Sequence, residues 1–273
     1  MRSVKTKFDF NTLSPLSKVA LCSLFFVVAL AVFVPIFSPF SGAGVDLSVS
    51  KLPPNSTFIF GTDFLGRDLL TRCCEGLRVS LFVGLLGGSL TLFLGVIFAV
   101  FASLFAREFW LGLFEILLSI PSLLIALFVQ SLFGGGLVLA IFVISLMHFA
   151  FVAKVIEAEF YALKKSDFYQ HCVVCGYSKP RLLLTQLLPN AAPLLLTLFV
   201  LNFAHAITTE ATLSFFGLGV GLGEASLGTL LSEGANAIFI GGWWLVVLPV
   251  VVFLLLLMPL LHFANDAKFK AAR

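Results

Sequence analysis

The most constraining feature of this sequence is a set of long windows that contain no charged residue. Five of them are long enough to matter, and they run 19–45, 79–106, 116–153, 182–209 and 234–265. A helix that crosses the hydrocarbon of a bilayer needs about 20 predominantly apolar residues. Only 11% of all residues are charged, whereas a soluble domain has about a quarter of its residues charged. The pattern therefore excludes most soluble enzymes and nucleic-acid-binding proteins.

The window 116–153 is too long for a single crossing, and three consecutive glycines at 134–136 divide it. We place one span on each side of these glycines. Pro121 and Pro249 fall inside predicted spans and are expected to kink their helices rather than to form sites. The sequence predicts an all-α membrane protein with six transmembrane helices, at Val19–Phe37, Ser80–Phe105, Leu111–Leu132, Leu137–Val155, Ala191–Leu213 and Trp243–Phe263.

Lysine and arginine are distributed unequally between the two sides of these spans. With the N-terminus inside, 13 of the 17 Lys and Arg residues lie in inner segments. Cytoplasmic segments of membrane proteins carry the excess of Lys and Arg, so we predict that both termini are cytoplasmic. The chain then divides into a cytoplasmic N-terminal segment, a first transmembrane helix, an outer segment, a core transmembrane domain and a cytoplasmic tail, at 1–18, 19–37, 38–79, 80–265 and 266–273.

The longest inner segment, about 157–190, is polar and carries helix start and stop signals. Ser166 or Asp167 suits the N-cap of a short helix, and Gly176 suits the position just after its last turn. Pro180 is suited to open a further helix that ends near Pro189. A short helix held crosswise between two spans has the form of a docking site for a soluble partner. An ordinary solvated loop is the alternative.

The five cysteines do not have the pattern of a disulfide framework, and Cys73 and Cys74 are adjacent. Cys172 and Cys175 form a C-x-x-C motif next to His171 on the predicted cytoplasmic side, where thiols usually stay reduced. A four-ligand metal site needs further partners that are not nearby in the sequence. We predict no metal site, and a metal or redox role for this motif is the minor alternative.

Polar side chains inside a span are costly and tend to face the bundle interior or a cavity. The candidates here are Glu115, His148, Asn202, His205, Thr209 and Glu210. Asn202, His205 and Thr209 are spaced i, i+3 and i+7, which predicts that they share one face of the fifth span. That face, with Glu210, either lines a transport pathway or makes interhelical hydrogen bonds. We expect His148 to be a packing residue and Glu115 to pair with Arg107 or to reach water.

Several stretches of the chain resemble the permeases of peptide and nickel ABC importers, specifically the C-type member of the permease pair. One is Gly61-Thr-Asp-Phe-Leu-Gly-Arg-Asp68, followed by Arg78-Val-Ser80. A second is Glu210-Ala-Thr-Leu-Ser-Phe-Phe-Gly-Leu-Gly219. Gly176 and Leu188-Pro189-Asn190 lie at the family spacing of a cytoplasmic coupling loop, and Ser232-Glu233-Gly234 resembles a weaker fourth piece. The resemblance covers residues 58–265 in the family order.

The chain departs from that family pattern at three places. The Glu-Ala-Ala triplet of the coupling loop falls on Gln170, His171 and Cys172, so the acidic residue is absent. Leu227 stands where the family has a Trp between the fifth and sixth spans. The acidic, proline-containing end common in relatives is reduced to Asn265-Asp-Ala-Lys268. These departures concern the partner contacts.

The resemblance implies a type I ABC importer permease fold in a multi-pass protein of the bacterial inner membrane. It implies four kinds of partner besides the lipid: a second homologous permease, two ATP-binding subunits, an outer substrate-binding protein and the transported solute. The chain lacks the G-x-x-x-x-G-K-[ST] phosphate loop, so we expect it to bind no cofactor itself and to leave ATP and Mg²⁺ to the ATPase subunits. The coupling-loop residues are Asp167, Gln170, His171, Cys172, Gly176, Leu188 and Pro189.

The outer motif consists of Gly61, Thr62, Asp63, Leu65, Gly66, Arg67 and Asp68. Asp63, Arg67 and Asp68 are expected to form a small charge network that braces the outer segment, and a solvated turn is the alternative. Gly61 and Gly66 would allow tight turns. We expect bracing from this motif rather than substrate chemistry.

The expected cargo is dipeptides or oligopeptides, and nickel is the alternative within the same family. His148 and His205 suit a borderline metal, but two imidazoles without further ligands discriminate little. A secondary transporter acting alone would leave the coupling-loop spacing unexplained. An intramembrane hydrolase would need a nucleophile with its base, or H-E-x-x-H, and neither is visible.

Overall fold

The computed structural model describes residues 15–40, 42–221 and 224–271, with the side chains of 240 and 266–271 excepted. Helices account for most of this part of the chain. In order they are α1 Pro15–Phe37, α2 Leu69–Leu104, α3 Arg107–Ser119, α4 Ser122–Phe133, α5 Leu137–Lys164, α6 Asp167–Val174, α7 Lys179–Leu182, α8 Leu188–Asn190, α9 Ala192–Phe215, α10 Leu227–Ala237 and α11 Trp244–Ala271. A π-helical turn, Leu183–Leu187, joins α7 to α8, and short 3-10 turns lie at Leu47–Val49 and Ile238–Ile240.

Five of the described helices, α1, α2, α5, α9 and α11, are long and apolar enough to cross a membrane. The predicted third span, Leu111–Leu132, is not one straight helix, because α3 and α4 meet at an angle of 75°. Pro121 causes the break. Its ring lacks an N–H and disfavours helical backbone at Ile120, which is extended with ψ 132°.

The helices also extend beyond the predicted spans. α2 begins at Leu69, within the predicted outer segment, and α5 continues past the predicted span as a polar extension to Lys164. Charged residues such as Arg72 limit the hydrocarbon-facing part of a helix without ending the helix itself. The non-helical outer segment therefore ends at Asp68, well before residue 79.

Helix α2 is the central element, packed along α5 on one side and α9 on the other. Glycines let the backbones approach closely. A Cβ atom on Gly95 would lie 2.4 Å from a methyl carbon of Val152 in α5, and one on Gly88 would lie 3.1 Å from the backbone of Phe203 in α9. Small residues at such contacts are typical of helix packing within membranes.

Helix α1 is attached at the periphery by a side chain from α2. Pro35 has no N–H to donate to the carbonyl of Ala31, four residues earlier. Arg78 supplies the missing donor, with its Nε 2.5 Å from the Ala31 oxygen and its Nη2 2.6 Å from the Val32 oxygen. One arginine thus both satisfies the proline-freed carbonyl and joins the two helices.

The stretch 214–242 holds α10. Ser226 and Thr229 form a capping box at its start, and it packs against α9 and α11. A Cβ atom on Gly234 would lie 2.3 Å from the Leu245 carbonyl oxygen, so α10 and α11 are in close contact. Most of the predicted N-terminal segment, including Arg2, Lys5 and Lys7, lies outside the described residues, as does Arg273.

Candidate functional site

The outer motif folds around the carboxylate of Asp63, which is fully buried. Its Oδ1 accepts the backbone N–H groups of Leu65 and Arg67 at 2.8 and 2.9 Å. Its Oδ2 lies 2.6 Å from both the Nε of Arg67 and the Nη1 of Arg72. The Asp63 carboxylate therefore holds the outer motif and the start of α2 together in a buried site. This contradicts the alternative of a solvated turn.

Glu233 of α10 completes this charge network from the far end of the chain. Its Oε1 accepts from the Nη2 of Arg72 at 2.9 Å and lies 3.5 Å from the Nη2 of Arg67. Arg72 is 2% exposed, and the Glu233 side chain is about one-third exposed. The network therefore fastens the outer segment and α2 to α10. Neither Arg72 nor Glu233 was predicted as a member, since their contact spans 161 residues.

Asp68 does not join this network, and that part of the prediction is wrong. Its Oδ2 instead accepts the backbone N–H of Thr71 at 2.8 Å and the hydroxyl of Thr71 at 2.6 Å. Asp68 is therefore the N-cap of α2, where its negative charge also suits the positive end of the helix dipole. The Asp63–Arg67 pair arises from a turn and not from helical spacing, because α2 begins only at Leu69.

Backbone contacts hold the rest of the outer motif. The hydroxyl of Thr62 accepts the Leu52 N–H at 2.9 Å, and the Trp244 indole donates to the Thr62 carbonyl at 3.3 Å. Gly66 has φ +73°, and a Cβ atom there would lie 1.8 Å from the Asp46 carbonyl oxygen. Gly61 has φ +76° and is similarly confined. Both positions require glycine, for space as well as for conformation.

On the predicted cytoplasmic side, α6 ends in a Schellman motif. Gly176 has φ +80°, its N–H bonds to the Val173 carbonyl at 3.0 Å, and the Tyr177 N–H bonds to the Cys172 carbonyl at 3.3 Å. This is the C-terminal geometry that a glycine in the left-handed region permits. Ser166 occupies the N-cap position, but its hydroxyl donates back to the Leu163 carbonyl and accepts no N–H group of α6.

Helix α6 is anchored on one side and exposed on the other. Tyr169 is buried, Cys172 is half-buried, and the Nε2 of Gln170 donates to the Lys164 carbonyl at 2.7 Å. Burial raises the pKa of the Tyr169 phenol. Asp167, His171 and the strongly exposed Val174 (86%) face outward. The helix is a short projection with an apolar tip, held in place by its inner face.

The return path to α9 is also fixed. Leu182, Leu183 and Leu187 are buried, and Leu188 is half-buried. The π-helical turn precedes Pro189, whose ring would collide with the carbonyl four residues earlier in a regular α-helix. Cys172 and Cys175 are free thiols. Across the described residues, no three His, Cys, Asp or Glu side chains are grouped to hold a metal ion.

The predicted polar face of α9 is divided by the structure. Asn202 is buried and its Nδ2 donates to the Leu198 carbonyl at 2.7 Å, while His205 is exposed and Thr209 is half-buried. Glu210 is fully buried and accepts the Ser214 hydroxyl at 2.5 Å. Asn202 and Glu210 thus pack inside the bundle, whereas His205 and Thr209 lie on its surface. Residues that the sequence places on one face of the helix are therefore divided between the interior of the bundle and its surface.

His148 of α5 is half-buried against this surface and also borders an open space. Its ring stacks on that of His205 with centroids 5.8 Å apart, and its Nε2 lies 3.4 Å from the Thr209 hydroxyl. A cavity of about 220 Å³ opens here between α4, α5 and α9. Its lining includes three polar residues that the sequence analysis did not single out: Ser122, Thr208 and Thr212. Thr208 and Thr212 could have been found from the sequence, because they are four residues apart and so share one face of α9.

Two further charged residues have partners other than those predicted. Glu115 pairs with Lys154 at 3.0 Å, and Arg107 forms a two-pronged bond to Glu157 at 2.7 and 3.1 Å. Glu157 is buried, so the ion pair joins the start of α3 to α5. The expected Glu115–Arg107 pair is therefore replaced by two separate bridges to α5, while the Glu115 side chain is 65% exposed and so reaches water, which was the other expectation.

Comparison with known proteins places the chain in a family. The family model described as "Binding-protein-dependent transport system inner membrane component" matches residues 91–269. This interval runs from within α2 to the last turn of α11, and so includes both α6 and the cavity.

Relatives similar over most of their length are peptide transport permeases. The chain is 30% identical to the dipeptide transport system permease protein of Bacillus subtilis, covering 85% of this chain and 75% of that protein. It is 31% identical to the oligopeptide transport system permease protein of the same organism, covering 84% and 76%. The oligopeptide permease of Haemophilus influenzae is 29% identical, covering 92% and 82%.

Proposed function

The chain belongs to the family of binding-protein-dependent transport system inner membrane components, and on this premise we propose that it is the membrane-spanning permease subunit of an ATP-driven peptide importer. The observation that carries the proposal is its similarity to dipeptide and oligopeptide permeases over most of both chains. The apolar helices support it, because each provides a membrane crossing of sufficient length.

In this proposal the chain functions as one subunit of a larger assembly. A second homologous permease completes the pathway, two ATP-binding subunits sit on the cytoplasmic side, and an outer binding protein delivers the peptide. ATP and Mg²⁺ belong to the ATP-binding subunits, since this chain carries no phosphate loop. It binds no cofactor and catalyses no reaction. It converts the movement of its partners into movement of its helices.

We place the coupling element at α6. Its outward residues Asp167, His171 and Val174 would contact a groove on an ATP-binding subunit, while Tyr169 seats the helix on the permease. The Schellman end at Gly176 and the buried leucines before Pro189 make the connection to α9 stiff. Closure of the ATPase pair would then rotate α5 and α9 as rigid levers.

The proposed topology has six spans with both termini in the cytoplasm of a bacterium and the chain in its inner membrane. In this arrangement α3 and α4 form one broken span. The Asp63–Arg72–Glu233 network lies on the outer side, where it holds the outer segment and α10 as one rigid cap. His205 and Thr209 line the pathway, and Asn202 and Glu210 support α9 from behind.

Uptake by cells that carry the complete transport locus, with and without this chain, tests the function. Labelled dipeptides, a longer peptide and radioactive nickel are offered in parallel. We expect loss of peptide uptake on deletion and its return when the chain is supplied from a plasmid. Loss of nickel uptake with peptide uptake intact would replace the peptide proposal by a metal importer. Loss of neither would contradict both cargoes.

A further inference from the structure

The part-exposed polar residues of α9 form a continuous row. His205, Thr208, Thr209 and Thr212 succeed one another along the surface of the helix, in a span whose other exposed side chains are mostly apolar. Polar side chains at such positions face a water-filled space or another subunit rather than lipid. The cavity beside them, about 220 Å³, supplies that space.

The cavity is an open recess in the wall of a transport pathway rather than a closed binding site. Pockets that enclose a drug-sized ligand measure roughly 300–1,000 Å³, which is more than this space provides. On one side it is bounded by α9 and His148, and on the other by Ser122, Leu123 and Ala126 of α4. The break between α3 and α4 lies next to the cavity, because Ser122, which lines the cavity, is the first residue of α4. The broken span thus leaves room that a straight helix would fill.

The three threonines offer hydrogen-bond acceptors and not donors. Each hydroxyl donates to a carbonyl of its own helix: Thr208 to His205 at 2.9 Å, Thr209 to His205 at 2.8 Å and Thr212 to Thr208 at 2.8 Å. A hydroxyl has one proton and two lone pairs, so lone pairs remain to face the cavity. Since the proton of Thr209 is used in this way, we assign the proton of the 3.4 Å contact to the Nε2 of His148.

Among the residues that the structure describes, none that lines the cavity carries a carboxylate, an ammonium or a guanidinium. Along α9, a passing solute would meet the neutral acceptors of the three threonines, which bind donors without trapping them. Favourable but weak contacts of this kind are what conduction through a pathway needs. The donors shared by all peptides are the main-chain N–H groups and the α-ammonium, whatever the side chains.

We propose that the cavity between α4, α5 and α9 is a contact subsite for the transported peptide, in which Thr208, Thr209 and Thr212 accept hydrogen bonds from its main-chain N–H and α-ammonium groups. This assignment rests on the proposed function and makes it more specific. The threonines would bind only the groups that all peptides share. Selection between different peptide side chains would occur in other parts of the importer.

The test uses the complete transporter in proteoliposomes, with loaded binding protein outside and ATP inside. Valine replaces threonine with nearly the same shape but without the acceptor, and serine keeps the acceptor. We compare the triple variants T208V/T209V/T212V and T208S/T209S/T212S. Thr197→Val is the matched control, because Thr197 makes the same kind of bond to its own helix, to the Pro193 carbonyl, away from the cavity.

The valine variant should import labelled peptide about tenfold more slowly, which corresponds to the loss of one or two modest hydrogen bonds. Its ATPase stimulation by loaded binding protein should remain, and the serine variant and T197V should import at the normal rate. Import by the valine variant equal to that of T197V would overturn the subsite. Absence of peptide import by the unaltered transporter would instead contradict the proposed function.

A second measurement does not depend on the threonines. A photoreactive amino acid at Leu123, on the α4 wall of the cavity, should cross-link labelled peptide during turnover. The same group at Phe128, an exposed residue of α4 outside the cavity lining, should not. Equal labelling at the two positions, or labelling at neither, would overturn the subsite even where the triple variant fails to assemble.

Discussion

At the scale of single residues, the sequence revealed which side chains matter more reliably than it revealed their partners. Asp63 and Arg67 were predicted to pair, and they do. Asp68 was assigned to the same network but caps α2, because its position before the first helical turn decides its role. Arg72 and Glu233 could not be paired from sequence, since only the fold brings α2 and α10 together.

Arg72 should be the most sensitive member of the outer network. Replacing it by Met removes a 2% exposed cation from between two carboxylates and leaves Asp63 buried with only Arg67. Removing one partner of a buried ion pair costs about 3–5 kcal/mol. We expect R72M to lower the midpoint of thermal aggregation of the detergent-purified protein strongly. Glu233→Gln, at a side chain one-third exposed, is the comparison and should lower it much less; equal shifts would contradict the buried brace.

Gly66 should not tolerate a methyl group. Its left-handed backbone would cost an L-residue about 1–2 kcal/mol, and the added Cβ would also overlap the Asp46 carbonyl oxygen. We expect Gly66→Ala to lower thermal stability. The control is Gly112→Ala in α3, where a Cβ meets nothing within 4 Å and a helical alanine is favoured. A G66A variant as stable as G112A would show that the outer segment does not need this turn.

At the scale of elements, charge-free windows located all the long helices, and helix-capping residues located α6. The windows did not mark where helices end, because a helix continues past the charges that leave the membrane, as α2 and α5 do. The break between α3 and α4 was foreseen only as a kink at Pro121. Its 75° angle depends on packing against α5, which a single proline does not reveal.

The exposed tip of α6 should determine binding of the ATP-binding subunits. Val174 is 86% exposed, and a charge there would disfavour an apolar interface without disturbing the buried Tyr169. Loss of a hot-spot residue costs an interface about 2 kcal/mol or more, so Val174→Asp should reduce the co-purified ATPase more than tenfold if α6 docks through this tip. Ile59→Asp, 64% exposed and in the predicted outer segment, is the control and should leave association intact. Full association of V174D would refute the docking role of this helix.

At the scale of the whole molecule, the placement of charge predicts the number of spans and their orientation. Because the orientation rests on Lys and Arg counts, it can be tested by reporter fusions after Phe160 and Arg273. Both should give a cytoplasmic signal. Phe160 is especially informative, because it precedes α6 and an even number of crossings must separate it from the N-terminus. An outside signal at either position would contradict the six-span topology.

The assembly itself could not be predicted in detail from one chain, since its partner surfaces are complete only in the complex. The exposed polar row on α9 illustrates this, because in the proposed assembly it faces a pathway that a second permease completes. The family match supplies that context without specifying the contacts.

We propose that this chain conducts peptides only as a subunit powered by separate ATPases. Peptide accumulation can be measured in proteoliposomes containing both permeases, the two ATP-binding subunits and the binding protein, with this chain included or omitted. We expect ATP-dependent accumulation that disappears without this chain and also without the ATP-binding subunits. Accumulation that persists without the ATP-binding subunits would contradict it and indicate a transporter that acts alone.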